Sequence, residues 1–392
     1  MSKLKVLVQA TTRAGGDLYP VAAVVGGLVK TGHAVVVLCD AGARTVFVGM
    51  GAGTILSGPE YEVGPVVKAS LRETAGREPD ERQEHLKASV DAWSAQLAPH
   101  TRGVVGQVRP QLVLTSLFGT CVGHHLTSEY GLPWAAINST FYIGPNPPRP
   151  LARDFSERAA DVFRYSVVPY LDMASLVLHA TDPVFDYDPW QMPRQHRYVG
   201  PLLWELPGRV PDYLGEPGEP WVLCTLSSLA QDDLPIARAA IDALGHSGSR
   251  RRLVVTVGPG HTVPELDRAH ALEAGARVFA EQYIPHSSVL ERGQLLISHA
   301  GHGSVMKALR HGVPMVLVPW SRDQFGVAAR AESMGAARVI PKEALSAHAM
   351  AEAVDRVLSE PLYATRAAEA ARRLRSEDPV RDAVDLIEQA SK

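Results

Sequence analysis

Short apolar runs and amphipathic runs alternate along the chain in a repeating order. Residues 4–10 are an apolar run that predicts a buried strand, and a polar turn over 11–18 follows it. A helix is predicted from about Tyr19. Pro20 falls in its first turn, where a missing N–H costs nothing, and Val21, Val24, Val25 and Leu28 give it one apolar face. Gly32 ends that helix, and residues 34–39 read as the next strand. Strand, helix and strand at this spacing make a right-handed βαβ unit of a parallel sheet. Residues 80–108 read as largely helical. Strands at 112–115 and 134–137 flank a helix over about 119–130, and 176–179 is expected to be the last strand of this half.

The pattern breaks between residues 200 and 220. Pro201, Pro207, Gly208, Pro211, Gly215, Pro217, Gly218 and Pro220 cannot all lie inside regular elements, which predicts a linker over 201–220. The pattern then restarts, with a strand at 222–226, a helix over about 233–244 and strands at 253–257, 278–279 and 294–298. A turn containing Gly301 and Gly303 follows, with Ser304 at the expected start of a helix running to about His311. Gly312 stops that helix and 313–318 is the next strand. Residues 338–340 and two helices over about 360–374 and 380–390 close the series. This order predicts an α/β protein with two doubly wound parallel sheets, whose ligands lie at the carboxyl ends of the strands. A length of 392 residues suits two domains of ordinary size.

Composition narrows the classes. Apolar residues are 46% and charged residues 21%, as in globular proteins. Lys+Arg 39 against Asp+Glu 42 leaves −3 with no basic stripe, so nucleic acid is not an expected partner. Cys39, Cys121 and Cys224 are far apart in apolar contexts without a Cys-x-x-Cys, and read as small buried hydrophobes in a reducing compartment. The start, Met-Ser-Lys, runs straight into the first strand without a signal-peptide pattern. No apolar run approaches the roughly 20 residues of a membrane span. A cytoplasmic location is the expectation.

The densest chemistry lies in residues 298–324. The N–H groups of a helix start favour a diphosphate, glycines let the backbone approach it, and His299 and Ser304 add side-chain donors. Asp323 and Gln324, just past the next strand, offer acceptors and an amide suited to sugar hydroxyls. Together these imply a nucleotide-sugar pocket.

The run His299-Ala-Gly-x-Gly-Ser304, followed by Gly312-Val-Pro-x-Val316 and Asp323-Gln324, resembles the donor signature of family 1 glycosyltransferases with the GT-B fold. That group includes bacterial enzymes that glycosylate macrolides, glycopeptides and other natural products. The resemblance implies two Rossmann-like doubly wound domains facing a cleft. Residues 1–200 would bind the acceptor, 201–220 would link, 221–374 would bind the donor, and the helix in 375–392 would cross back to the first domain. It implies Ser228, His299, Gly301, Gly303 and Ser304 at the diphosphate. Tyr283 would stack on the base, the Ile284 backbone would read its edge, and Asp323 and Gln324 would hold the sugar. Two of these have blander readings: Ser228 as a helix-capping serine and Tyr283 as a core aromatic. Lys307 departs from the pattern, because many members carry there a Glu that binds ribose, and an ammonium has donors only. The ribose is then held otherwise, or the nucleoside is a deoxyribose, or Lys307 pairs with phosphate. UDP and dTDP both stay open. Val327 likewise replaces a common Asn.

For catalysis the resemblance points to the turn Arg13-Ala-Gly-Gly-Asp17-Leu-Tyr-Pro20, similar to the Arg-Gly-Asp-x-x-Pro turn of glycopeptide-type enzymes. Asp17 would be the general base. Many members have His in this turn, oriented by an Asp after the fourth strand. Here Ser116 stands at that place, and a carboxylate base needs no second carboxylate to fix a tautomer. The alternative is that Asp17 only caps its helix. His124 and His125 are runner-up bases. Phe118, His124, Phe141, Tyr142 and the proline-rich loop within 145–163 are candidate acceptor walls. The implied activity is inverting, metal-independent transfer of a hexose or deoxyhexose from a UDP- or dTDP-sugar to a hydroxyl of a small apolar or aromatic acceptor, with no cofactor beyond the sugar nucleotide. A nucleotide-sugar-binding helper protein and a nucleotide-sugar epimerase are the competing readings.

Overall fold

A computed structural model of the chain describes residues 3–58, 61, 63–142, 168–187, 192–228, 231–245, 251–258, 261–263 and 277–392. Its strands fall into two sheets. The first contains β1 (Lys5–Ala10), β2 (Ala34–Cys39), β3 (Gly53–Leu56), β4 (Leu112–Ser116), β5 (Trp134–Asn138), β6 (Leu176–His179) and β7 (His196–Tyr198), in the order 3-2-1-4-5-6-7. The second contains β8 (Trp221–Thr225), β9 (Arg252–Thr256), β10 (Val278–Glu281), β11 (Gly293–Ser298), β12 (Met315–Leu317) and β13 (Ala337–Val339), in the order 10-9-8-11-12-13. All pairings are parallel. The central strands β4, β5, β8 and β9 are buried along their whole length, which explains their unbroken apolar runs: helices cover both faces. In each sheet the strand order reverses once, between β1 and β4 and between β8 and β11, and the carboxyl ends at such a switch point are where doubly wound sheets bind ligands.

The chain divides into two compact units. Among the described residues, one takes everything up to Trp204 and from Asp378 onward, and the other takes Glu205–Glu377. The last helix, Pro379–Ala390, thus belongs to the first unit. Its Ala383, Val384 and Ile387 join the core of the first sheet. His33 ties it down: its Nδ1 accepts from the Leu4 N–H at 3.1 Å and its Nε2 meets Glu388 at 2.9 Å. Gly27 allows the approach, because a Cβ there would lie 2.5 Å from Val380.

Two expectations change. The strand at 176–179 is not the last of its sheet, because β7 pairs beside it. Three residues of mixed polarity at an edge carry too little alternation to stand out. The proline-rich segment after residue 204 is irregular as expected, yet it packs tightly on the second unit. Tyr213 stacks on Phe279 with ring centres 3.9 Å apart, and Arg252 lies over Trp221 while donating to the Glu216 and Glu219 carbonyls.

Candidate functional site

In the first unit the turn after β1 is built from both ends. Asp40 caps the helix Ala41–Gly49 and accepts from the Thr11 hydroxyl (2.7 Å) and from the Thr12 N–H and hydroxyl (2.6 and 3.0 Å). Burial acts to raise the Asp40 pKa, but these bonds outweigh it and hold the carboxyl below its usual value. At the far end Asp17 starts the helix Leu18–Lys30. Its side chain makes no bond to that helix's N–H groups, so capping is not its work. The carboxylate is 8% exposed and accepts instead from the Ser139 hydroxyl, just past β5. Ser116, at the end of β4, is buried and does not orient it; no described residue bonds its hydroxyl. The group that bonds Asp17 therefore comes from the end of β5, one strand along the sheet from Ser116.

The other acceptor-side residues are distributed unevenly. Phe141 is fully buried, with its ring taken up by Phe185 (5.7 Å, stacked) and Tyr187 (4.9 Å, edge-on), so it supports the loop rather than lining a surface. Tyr142 is half-buried, with its ring edge-on to His179 and His196 and its N–H on Asp186. His124 packs on Tyr170. His125 pairs with Glu129 on its own helix, and burial lowers its pKa despite that partner. The Phe118 side chain and the loop 145–163 lie outside the described residues.

In the second unit the loops after β8 and β11 lie at the switch point. The helix after β11 is His302–His311, two residues earlier than expected, so Ser304 is its third residue and not its start. Gly301 is the N-cap and has no side chain to offer, which leaves the helix start with its positive dipole end and the Gly303 and Ser304 N–H groups uncapped by it. The two glycines serve different ends. A Cβ at Gly301 would sit 2.5 Å from the His299 Nε2, whereas at Gly303 it would meet nothing within 4 Å. Gly301 makes room for the imidazole, and Gly303 keeps the surface open.

His299 is buried, and burial pushes its pKa down to about 4, against the Asp233 carboxylate, which acts upward. The imidazole is therefore neutral near pH 7. Asp233, fully buried ahead of the helix Leu234–Leu244, is the hub of this loop. It accepts from the Ser227 N–H (2.8 Å) and the Gln231 amide (3.0 Å), faces His261 at 3.1 Å and lies 4.0 Å from the His299 Nδ1. Ser228 is half-buried beside this network. The sequence reading missed Asp233, Gln231 and Arg322. An acid ahead of a helix reads simply as a cap, and their convergence requires the fold.

The remaining donor candidates have defined surroundings. The Tyr283 hydroxyl donates to the Leu206 carbonyl at 2.7 Å, and Ile284 is buried. Asp323 is the N-cap of the helix Gln324–Ser333 without capping it by its side chain. Gln324 is buried. Its Oε1 accepts from the Trp320 and Ser321 N–H groups (3.0 Å each) and its amide donates to Gln231 at 3.1 Å, so it shapes the loop from within. Lys307 pairs with Glu205 at 2.8 Å, and Glu205 also accepts from the Ser287 N–H. Burial works to raise the Glu205 pKa, but the Lys307 ammonium prevails and keeps it low.

Two parallel doubly wound sheets of this order with flanking helices make the GT-B fold. Residues 226–387 match the Glycosyltransferase family 28 C-terminal domain, from the end of β8 into the last helix. Natural-product glycosyltransferases are the neighbours in sequence and in structure. The chain is 34% identical over 217 residues to 4'-demethylrebeccamycin synthase of Lentzea aerocolonigenes, covering 54% of this chain and 49% of that protein. It thus spans about half the length of the curated relatives it matches. Among solved structures, the calicheamicin glycosyltransferase CalG4 superposes with a TM-score of 0.75 at 20% identity, covering 100% of this chain and 98% of the other. The spinosyn rhamnosyltransferase SpnG complexed with thymidine diphosphate superposes with a TM-score of 0.71 at 18% identity, over 99% of this chain and 100% of the other. No helix among the described residues is long and apolar enough to cross a membrane.

Proposed function

We propose that this protein is a glycosyltransferase that moves a hexose or deoxyhexose from a UDP- or dTDP-sugar to a hydroxyl of a small-molecule natural product. Transfer proceeds by a single inverting displacement without a metal ion. The observation that carries the reading is the second unit's switch point. An uncapped helix start and a neutral buried imidazole converge there, within the segment matching a glycosyltransferase domain. Such a helix start suits a diphosphate, and a neutral His299 can donate a hydrogen bond to it. The thymidine diphosphate complex of SpnG favours a nucleoside diphosphate of this kind.

In the first unit Asp17 is the base. Its carboxylate is held by Ser139 and makes no capping bond, as a proton acceptor requires. The acceptor oxygen loses its proton to Asp17 as it bonds to the anomeric carbon. The bond from that carbon to the diphosphate breaks, and its electron pair leaves with the nucleoside diphosphate. Attack opposite the leaving group inverts the configuration.

A panel of UDP- and dTDP-sugars should identify the donor by thermal shift, because a ligand at 100 times its Kd stabilises the native state by roughly 2.7 kcal/mol. With that donor and an aglycone panel, the product should be a glycoside of inverted configuration formed equally well in EDTA. Loss of activity in EDTA with rescue by magnesium or manganese contradicts the metal-free step.

A further inference from the structure

We propose that the Arg322 guanidinium grips the departing diphosphate and supplies the positive charge on which the leaving group's new negative charge settles. The inference rests on the donor reading of the second unit given above. Three non-glycine residues among those described have a left-handed backbone: Arg109, Ala300 and Arg322. Arg109 closes a helix, an ordinary place for it. Ala300 and Arg322 lie in the loops after β11 and β12, so both strained positions of this unit fall at the strand carboxyl ends. Such strain gathers where a site is built.

From a φ of 59° the Arg322 side chain reaches across to the loop after β8. Its Nη2 donates to the Ser227 hydroxyl at 3.2 Å and to the Gln231 Oε1 at 2.9 Å. Both partners are neutral, so these bonds orient the guanidinium without cancelling its charge. Lys307 differs, because it is neutralised by Glu205 at 2.8 Å. The buried carboxylate of this network, Asp233, meets the Gln231 amide rather than the guanidinium. His299 feels the Arg322 charge, which helps to keep its imidazole neutral, so His299 can give a hydrogen bond but no charge. When the bond to the anomeric carbon breaks, the electron pair stays on a phosphate oxygen, and a planar fork of N–H donors matches that oxygen and its neighbours.

The test uses the full chain and four probes: UDP, dTDP, uridine and thymidine. Calorimetry on the wild type, Arg322→Gln, Arg322→Gly and Arg322→Lys separates phosphate binding from base binding. Arg322→Gly takes the left-handed backbone without steric strain, and since it also removes the bonds to Ser227 and Gln231, Tm is measured for each variant beside the affinities. Gln and Gly should weaken whichever diphosphate binds by about tenfold or more and leave its nucleoside unchanged, with Lys in between. Diphosphate affinity within about twofold of wild type in both variants overturns the assignment of Arg322 alone, as does an equal loss for nucleoside and diphosphate. If the wild type binds neither diphosphate, the donor reading falls and this inference falls with it.

Discussion

At the scale of single residues, the chemistry depends on which polar atoms are committed and to what. Asp17 opens a helix yet leaves that helix's N–H groups uncapped, and takes its hydrogen bond from Ser139. A donor bonded to a carboxylate fixes where that carboxylate can meet the acceptor's proton. Ser139→Ala should therefore lower kcat and leave donor affinity unchanged, and Ser139→Thr should restore turnover. Normal turnover in Ser139→Ala removes Ser139 from the account. In the second unit Asp233, Gln231 and Gln324 build a frame whose bonds mostly face inward, and His299 and Arg322 stand at its edge.

At the scale of elements, strand positions were legible because buried parallel strands are unbroken apolar runs. β2 and β6 have the boundaries that the sequence implies, and most other expected strands differ by a residue or two. Elements without such a run were not legible. The helix Ala41–Gly49 and the strand β3 carry short or interrupted apolar faces, and tertiary packing decides them. Ala347–Ser359, by contrast, has an amphipathic spacing of Met350, Ala353, Val354 and Val357 behind the Ser346 cap and was legible but went unread. The helix after β11 begins at His302 rather than Ser304, because a glycine without a Cβ serves as N-cap where sequence favours a hydroxyl. Candidate residues stood out in the sequence where motif and strand end coincide, as at His299 and Gly301. They did not where loops distant in sequence converge, as at Ser139, Asp233 and Arg322. The two turn glycines separate packing from access. Gly301→Ala should displace the His299 ring, lowering Tm and nucleotide affinity together, whereas Gly303→Ala should spare Tm and lower affinity for the diphosphate. Thermal melts with and without UDP or dTDP check this, and a Gly303→Ala protein that binds normally places the ligand elsewhere.

At the scale of the whole molecule, both units share one strand order over six strands but carry different chemistry at their switch points: a carboxylate in the first, hydrogen-bond donors and a cation in the second. The second unit also has a pH signature. Burial pushes His286 down to about 3 and His299 and His302 down to about 4, so the native state holds them neutral while the unfolded chain protonates them near 6.5. The unfolded state then binds more protons between those values. Stability should be complete above about pH 6.5 and fall as pH drops towards 4, by up to about 1.4 kcal/mol per pH unit for each group. Urea unfolding at pH 7, 6 and 5 checks this, and a flat midpoint would mean that the three rings are not held neutral.

The central claim is that sugar leaves a nucleotide donor held in the second unit when Asp17 in the first takes the acceptor's proton. Acceptor-dependent release of UDP or dTDP, measured side by side for wild type and Asp17→Asn, tests it most directly. The amide keeps the size of the side chain but cannot take the proton, so release should fall by about 10² or more, with donor affinity and Tm barely moved. Undiminished release from Asp17→Asn, or no acceptor-dependent release from the wild type, contradicts the account.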